Sequence, residues 1–189
     1  RMMAAAGGGP TVRLVVVALV IVSCSVAACT AGPAEPAPPT STRVSLPPGT
    51  AELTCEDPIG VTATVPSPET AVLDAVAVDV TSTLGTAAAG GDPHRLFAKT
   101  GLLVHAGHPA TLTVPGDWSG RVSIAWGNHA AQWATSLRIP PCSPPSGTGG
   151  WLAYPGGFSL DTPACVPLQV RAGDQVTTVH VAVGKPCPR

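Results

Sequence analysis

The chain has 189 residues, with ten Lys or Arg against eleven Asp or Glu, and charged side chains make up 11% of it. A formal net charge of −1 with no clustered basic stretch lacks the electrostatic footprint of a nucleic-acid binder and excludes a broad steering field. Low charge with many Thr, Val and Gly suits a sheet-rich domain that works outside the cytoplasm.

The first feature along the chain is an export signal. Arg13 precedes a run of about fifteen mostly apolar residues, Leu14 to Ala28, which closes on Val26-Ala27-Ala28-Cys29. A charged residue, a short apolar core and a small-residue site make a secretory signal; a membrane span needs roughly twenty apolar residues. The closing segment resembles the lipobox of bacterial lipoproteins, where the cysteine thiol is acylated and becomes the new N-terminus. Ile21-Val22-Ser23-Cys24 fits the same pattern loosely, and cysteine parity separates the two. Cleavage before Cys29 leaves Cys55, Cys142, Cys165 and Cys187 behind the lipid, an even set; cleavage before Cys24 leaves five thiols, one of them odd. Residues 1–28 are therefore expected to be the signal and Cys29 the lipidation site. An unlipidated secretory signal cut near Ala28 is the alternative.

Residues 29–51 are rich in Ala, Pro, Thr and Ser and hold almost no large apolar side chain. Such a stretch cannot bury a core and reads as a Pro-stiffened tether. Residues 52–189 then have the size of one domain with a single core.

Within that domain short β-branched runs alternate with Gly, Pro and Asp, the pattern of a sandwich or barrel. Val61 to Val65 is expected as the first strand. Ser67-Pro68-Glu69 would open a helix well, yet Val76, Val78 and Val80 alternate, so residues 67–83 are taken as strand and 86–93 as a loop of small residues. Thr111 to Val114 and Arg121 to Gly127 are strands joined by Pro115–Gly120, with Val122, Ile124 and Trp126 on one face. Gln132 to Ile139 puts Trp133, Leu137 and Ile139 on one parity, which makes Trp133 a core residue beside Trp126. At the end, Val166, Leu168 and Val170 alternate, Ala172-Gly173-Asp174 turns, and Val179, Val181 and Val183 alternate again, which is the clearest hairpin in the chain. The fold class expected is all-β: an immunoglobulin-like two-sheet sandwich of seven to nine strands stapled by disulfides.

Several stretches of the later half carry a resemblance. Arg95 to Val104, Ala125-Trp126-Gly127, Pro141-Cys142, Trp151 to Phe158, Ala164 to Leu168 and Val183 to Cys187 are similar to a family of exported actinobacterial proteins with no assigned activity. The resemblance covers roughly residues 95–188. It implies a shared fold and a cell-envelope location, and it carries over no catalytic residue.

Four cysteines in an exported domain make two disulfides in one of three pairings. Cys142–Cys165 would close a Gly/Pro-rich excursion and leave Cys55–Cys187 to tie the domain ends; Cys55–Cys142 with Cys165–Cys187 is the alternative. No Cys-x-x-Cys points to a metal or redox site.

His105-Ala-Gly-His108 has ligand-like spacing, and His94, His129 and His180 are further imidazoles. Gly107 and Pro109 argue for a turn, and no carboxylate stands nearby in sequence, so two polar loop residues are the plainer reading. Asp117 and Asp161 read as turn formers rather than a carboxylate pair, and Ser119 lacks the context of a nucleophile elbow. Trp118 and Trp151 flank Gly-rich loops, and with Tyr154 and Phe158 they are the candidate binding aromatics.

The expected role is non-catalytic: an envelope lipoprotein held to the membrane at Cys29, with no cofactor, binding an envelope protein or glycan. A metal-binding lipoprotein using His105 and His108 is the opposing expectation, and an envelope hydrolase a distant third.

Overall fold

The computed structural model describes residues 49–189 except 57, 66, 68–69, 90–91, 129–131, 145–148 and 189, with backbone only at 92–94. The signal, both lipobox cysteines, nearly all of the tether, Pro68-Glu69 and His129 lie outside the described residues, as does the side chain of His94.

The described residues are all-β, with no α-helix among them. In chain order the strands are β1 (Thr50–Glu52), β2 (Gly60–Thr62), β3 (Ala71–Val72), β4 (Val76–Val78), β5 (Thr83–Leu84), β6 (Ala87–Ala89), β7 (Asp92–Lys99), β8 (Leu102–His105), β9 (Ala110–Thr113), β10 (Val122–Trp126), β11 (Ser136–Ile139), β12 (Trp151–Tyr154), β13 (Gly156–Leu160), β14 (Ala164–Ala172) and β15 (Gln175–Val183). One sheet runs β1-β11-β9-β14-β15-β5, a second β10-β13-β7-β6, and a third β2-β12-β8-β4-β3.

The second and third sheets share one register. Phe158 pairs with Ala98 and Gly157 with Lys99 across β13 and β7, while Tyr154 pairs with Leu102 and Ala153 with Leu103 across β12 and β8. Each pair of numbers sums to 256, so the two ladders are one long antiparallel pair interrupted at Pro155 and Thr100-Gly101. Thr100 N–H still donates to the Gly156 carbonyl at 3.0 Å, keeping the register across the break. Pro155 has no N–H to give, which is where a ladder breaks and a sheet bends. The domain is thus sandwich-like, with the six-stranded sheet as one layer and this bent pair at the centre of the other.

Burial follows the period-2 rule. Val122, Ile124 and Trp126 of β10, Phe158 and Leu160 of β13, and Val166, Leu168 and Val170 of β14 are all buried in one apolar cluster. The expected final hairpin is present: Ala172 pairs with Gln175 around Gly173-Asp174, with Gly173 at φ +56°. Trp126 and Phe158 meet edge to face at 5.4 Å, and the Trp126 indole N–H donates to the Thr100 carbonyl at 3.1 Å.

Several expectations need correction. The first described strand is β1 rather than Val61–Val65, because Thr50–Glu52 pairs in parallel with Ser136–Arg138; the domain therefore begins inside the stretch assigned to the tether. Residues 67–83 contain β3 and β4, as the Val alternation suggested, with Val76, Ala77 and Val78 all buried. The loop expected at 86–93 is largely strand, since Ala87–Ala89 pairs with β7; small side chains there allow close pairing rather than prevent it. Trp133 is not core but 51% exposed. β11 starts only at Ser136, so the parity of Leu137 and Ile139 does not extend back to it.

The preferred disulfide pairing is also overturned. Cys55 bonds Cys142, and Cys165 bonds Cys187. β1 and β11 run parallel with Glu52 opposite Arg138, so the chain leaves both strands at the same end and carries Cys55 and Cys142 together. Cys165 lies opposite Ala182, and the chain turns back at Gly184 with φ +72° to deliver Cys187.

Candidate functional site

Two places on the domain gather groups that can do chemistry. The first is the outer face of the sheet β10-β13-β7. Ser123 and Ala125, Ser159 and Gly157, and Phe97 and Lys99 sit opposite one another in register, on the parity that points away from the core. Four of these residues are small, so they make a flat floor. Gly157 is required in it: φ is +152°, and a Cβ would come within 1.9 Å of the Ala98 carbonyl oxygen.

Trp133 lies over this floor. Ala134 forms a two-hydrogen-bond bridge with Ile124, at 2.8 and 3.0 Å. Ala134 shares the buried side of Ile124, so its neighbour Trp133 falls on the outer side. Its ring stands edge-on to Phe97, centroids 5.9 Å apart and planes at 77°. Grooves flank the indole. One, of about 350 Å³, is lined by Phe97, Lys99, Ala125, Gly127 and Pro155. The other, of about 480 Å³, is lined by Arg95, Ser119, Ser123 and Ser159. Arg95 is held in place, with Nε donating to Ser159 Oγ at 2.9 Å, Nη2 to the Ser159 carbonyl at 3.0 Å and Nη1 to Asp161 at 2.9 Å.

The second place is the end of β8. His105 stacks on Trp151 at 4.6 Å with planes 11° apart, and His108 stacks on the other face of His105 at 4.1 Å and 18°. His105 Nδ1 lies 2.8 Å from the Asp74 carbonyl oxygen and 3.4 Å from its carboxylate. The register of β4 with β8, Val76 opposite Val104, brings the β3–β4 turn alongside. Leu73 and Asp74 both hold positive φ, 52° and 50°, in that turn. They are the two central residues of a tight hairpin turn, closed by the Ala75 N–H donating to the Val72 carbonyl at 3.1 Å.

The sequence-predicted residues fare unequally. Tyr154 and Phe158 are fully buried and Trp151 is 6% exposed, so none offers a surface to a partner, contrary to expectation. Strand alternation turns Tyr154 and Phe158 inward, whereas Trp151 lies on the opposite face, paired with His105, whose ring covers it. The Tyr154 hydroxyl donates to the Cys55 carbonyl at 3.2 Å, and burial raises its pKa. Trp118 packs against the core, and the Arg121 guanidinium covers its ring at 4.3 Å. The Asp161 carboxylate is taken by Arg95. His105 and His108 do lie in a turn, His108 N–H donating to the His105 carbonyl at 3.1 Å. No carboxylate neighbours the two histidines along the chain, but Asp74, 31 residues from His105, lies beside it in the fold. Sequence reasoning missed both Trp133 as a surface group and Asp74 as a neighbour of the histidines.

The chain matches no family model, no curated protein and no solved structure in the three comparisons made.

Proposed function

We propose that this protein is a cell-envelope lipoprotein whose immunoglobulin-like β-sandwich is a non-catalytic glycan-binding module, with Trp133 as its platform. The observation that carries the reading is the half-exposed Trp133 ring between two grooves, one largely apolar with Lys99 at its edge and the other lined by Arg95, Ser119, Ser123 and Ser159. The C–H bonds on one face of a pyranose make an apolar surface that lies flat on an indole, while its hydroxyls need donors and acceptors at the edge. Lys99, Arg95, Ser119 and Ser123 supply that edge. A protein partner needs roughly 800 Å² per side around an apolar centre, and one ring amid small and polar residues suits a saccharide better.

The fifteen described strands exceed the seven to nine expected from the sequence; counting β7 with β8 and β12 with β13 as single bent strands leaves thirteen, several of them only two or three residues long. A lipid on Cys29 would hold the module at the outer face of the cytoplasmic membrane, and residues 30–48 would let it reach wall polymers. The resemblance to exported actinobacterial proteins implies the same location.

Co-sedimentation of the full chain with insoluble envelope polysaccharide tests the reading. Wild-type protein pellets with the polymer, Trp133→Ala stays largely in the supernatant, and Trp118→Ala pellets like wild type. Equal pelleting of Trp133→Ala and wild type rejects the platform.

A further inference from the structure

The cluster at the end of β8 is independent of the Trp133 face and has its own chemistry. Asp74, His105 and His108 each offer a ligand atom, and these atoms lie within 4.8 Å of one another. We infer that these three residues form a binding site for a divalent transition-metal cation, with two imidazoles and one carboxylate as ligands.

Three observations support this beyond proximity. His105 is oriented before any ion arrives: its ring is sandwiched between Trp151 and His108, and its Nδ1 faces the Asp74 carbonyl oxygen. A carbonyl oxygen only accepts, so Nδ1 carries the hydrogen and Nε2 presents its lone pair. A ring nitrogen bonded to a carbonyl while the other stays free is the usual support of a metal-ligating histidine. The second observation is the β3–β4 turn, in which Leu73 and Asp74 at positive φ, closed by the Ala75 N–H on the Val72 carbonyl, hold Asp74 beside the ring. The third is the donor set, because nitrogen with oxygen suits zinc or copper rather than calcium or magnesium.

The geometry also says what must move. An imidazole lone pair lies in its ring plane, and a tetrahedral cation at about 2.0–2.1 Å from each nitrogen holds its ligand atoms about 3.4 Å apart. Two rings stacked 18° from parallel cannot both aim at one ion, and the Asp74 carboxylate stands 3.4 Å from Nδ1 rather than at Nε2, so on binding His108 swings off the stack and the Asp74 side chain turns toward Nε2. The His108 side chain is exposed, so the rotation carries it into solvent. His105 remains on Trp151.

Titration of the full chain with Zn²⁺ alone, followed by calorimetry, tests the site. Wild-type protein binds one equivalent. His108→Ala and Asp74→Asn each weaken that binding at least about tenfold; Asn tolerates the left-handed backbone at position 74, so the turn persists in that variant. Cu²⁺ gives a second readout, because an ion on His105 sits against Trp151 and quenches its fluorescence, and His108→Ala removes most of the quenching. No stoichiometric binding in wild type, or equal affinity in wild type and either variant, overturns the assignment.

Discussion

Trp133 stands edge-on to Phe97 with ring centroids 5.9 Å apart, on the side of the sheet that faces away from the core. The contact anchors one edge of the indole and leaves the rest exposed. An aromatic edge-to-face pair contributes about 0.5–1.5 kcal/mol beyond burial, enough to hold a side chain in one orientation at the surface. A fixed ring binds a flat ligand without first giving up rotamer freedom.

The two disulfides differ in what they close. Cys55 and Cys142 are 87 residues apart and Cys165 and Cys187 are 22 apart. In the chain-entropy model these loops correspond to about 4.6 and about 3.4 kcal/mol. Urea unfolding of the two double Cys→Ser variants should show the larger loss for Cys55/Cys142. A larger loss for Cys165/Cys187 would contradict the model.

Gly157 supports the floor under Trp133. Gly157→Ala should destabilise the protein on the order of 3 kcal/mol, because the new methyl meets the Ala98 carbonyl oxygen at 1.9 Å in a backbone with φ +152°. Thermal unfolding measures this. Gly116→Ala, where nothing lies within 4 Å of the added atom, is the control and should change little.

Asp79 makes acid sensitivity predictable in sign. Its carboxylate accepts from the Ser82 hydroxyl, from the backbone N–H groups of Thr81 and Ser82, and from the Thr81 hydroxyl. The Ser82 hydroxyl contributes most to holding its pKa below the ordinary 3.8, against partial burial that raises it. A carboxylate whose folded pKa is depressed adds stability above its unfolded pKa, and that stability is lost as pH falls through the folded value. The wild type should therefore lose more stability between about pH 6 and about pH 3 than Asp79→Asn does, by urea midpoints at the two pH values. Parallel losses would show that Asp79 is uninvolved.

Anchoring is tested by fractionation. Cys29→Ala should release the protein from membranes, and Cys24→Ala should leave it there. The reverse result would move the lipid to Cys24 and leave an odd thiol among those that follow.

What the sequence made legible was local. The β14–β15 hairpin could be read because alternation and a Gly-Asp turn lie within twenty consecutive residues, and Val122, Ile124 and Trp126 because one uninterrupted strand holds them. Features set by long-range register were not legible. Trp133 precedes β11 by a bridge and a bend, which breaks the parity that seemed to bury it. Asp74 is 31 residues from His105 and meets it only because β4 lies beside β8. The disulfide pairing depends on a parallel contact between β1 and β11 that no composition or spacing announces.

The most direct test of the glycan-binding reading is ¹⁹F NMR of the full chain labelled with 5-fluorotryptophan, which reports all four tryptophans at once. On addition of a soluble oligosaccharide released from the envelope polymer, the resonance assigned to Trp133 by its absence in Trp133→Phe should shift. Those of buried Trp126 and Trp151 should stay in place. A Trp133 resonance that stays fixed while the polymer still binds, or a shift confined to Trp118, would contradict the proposal.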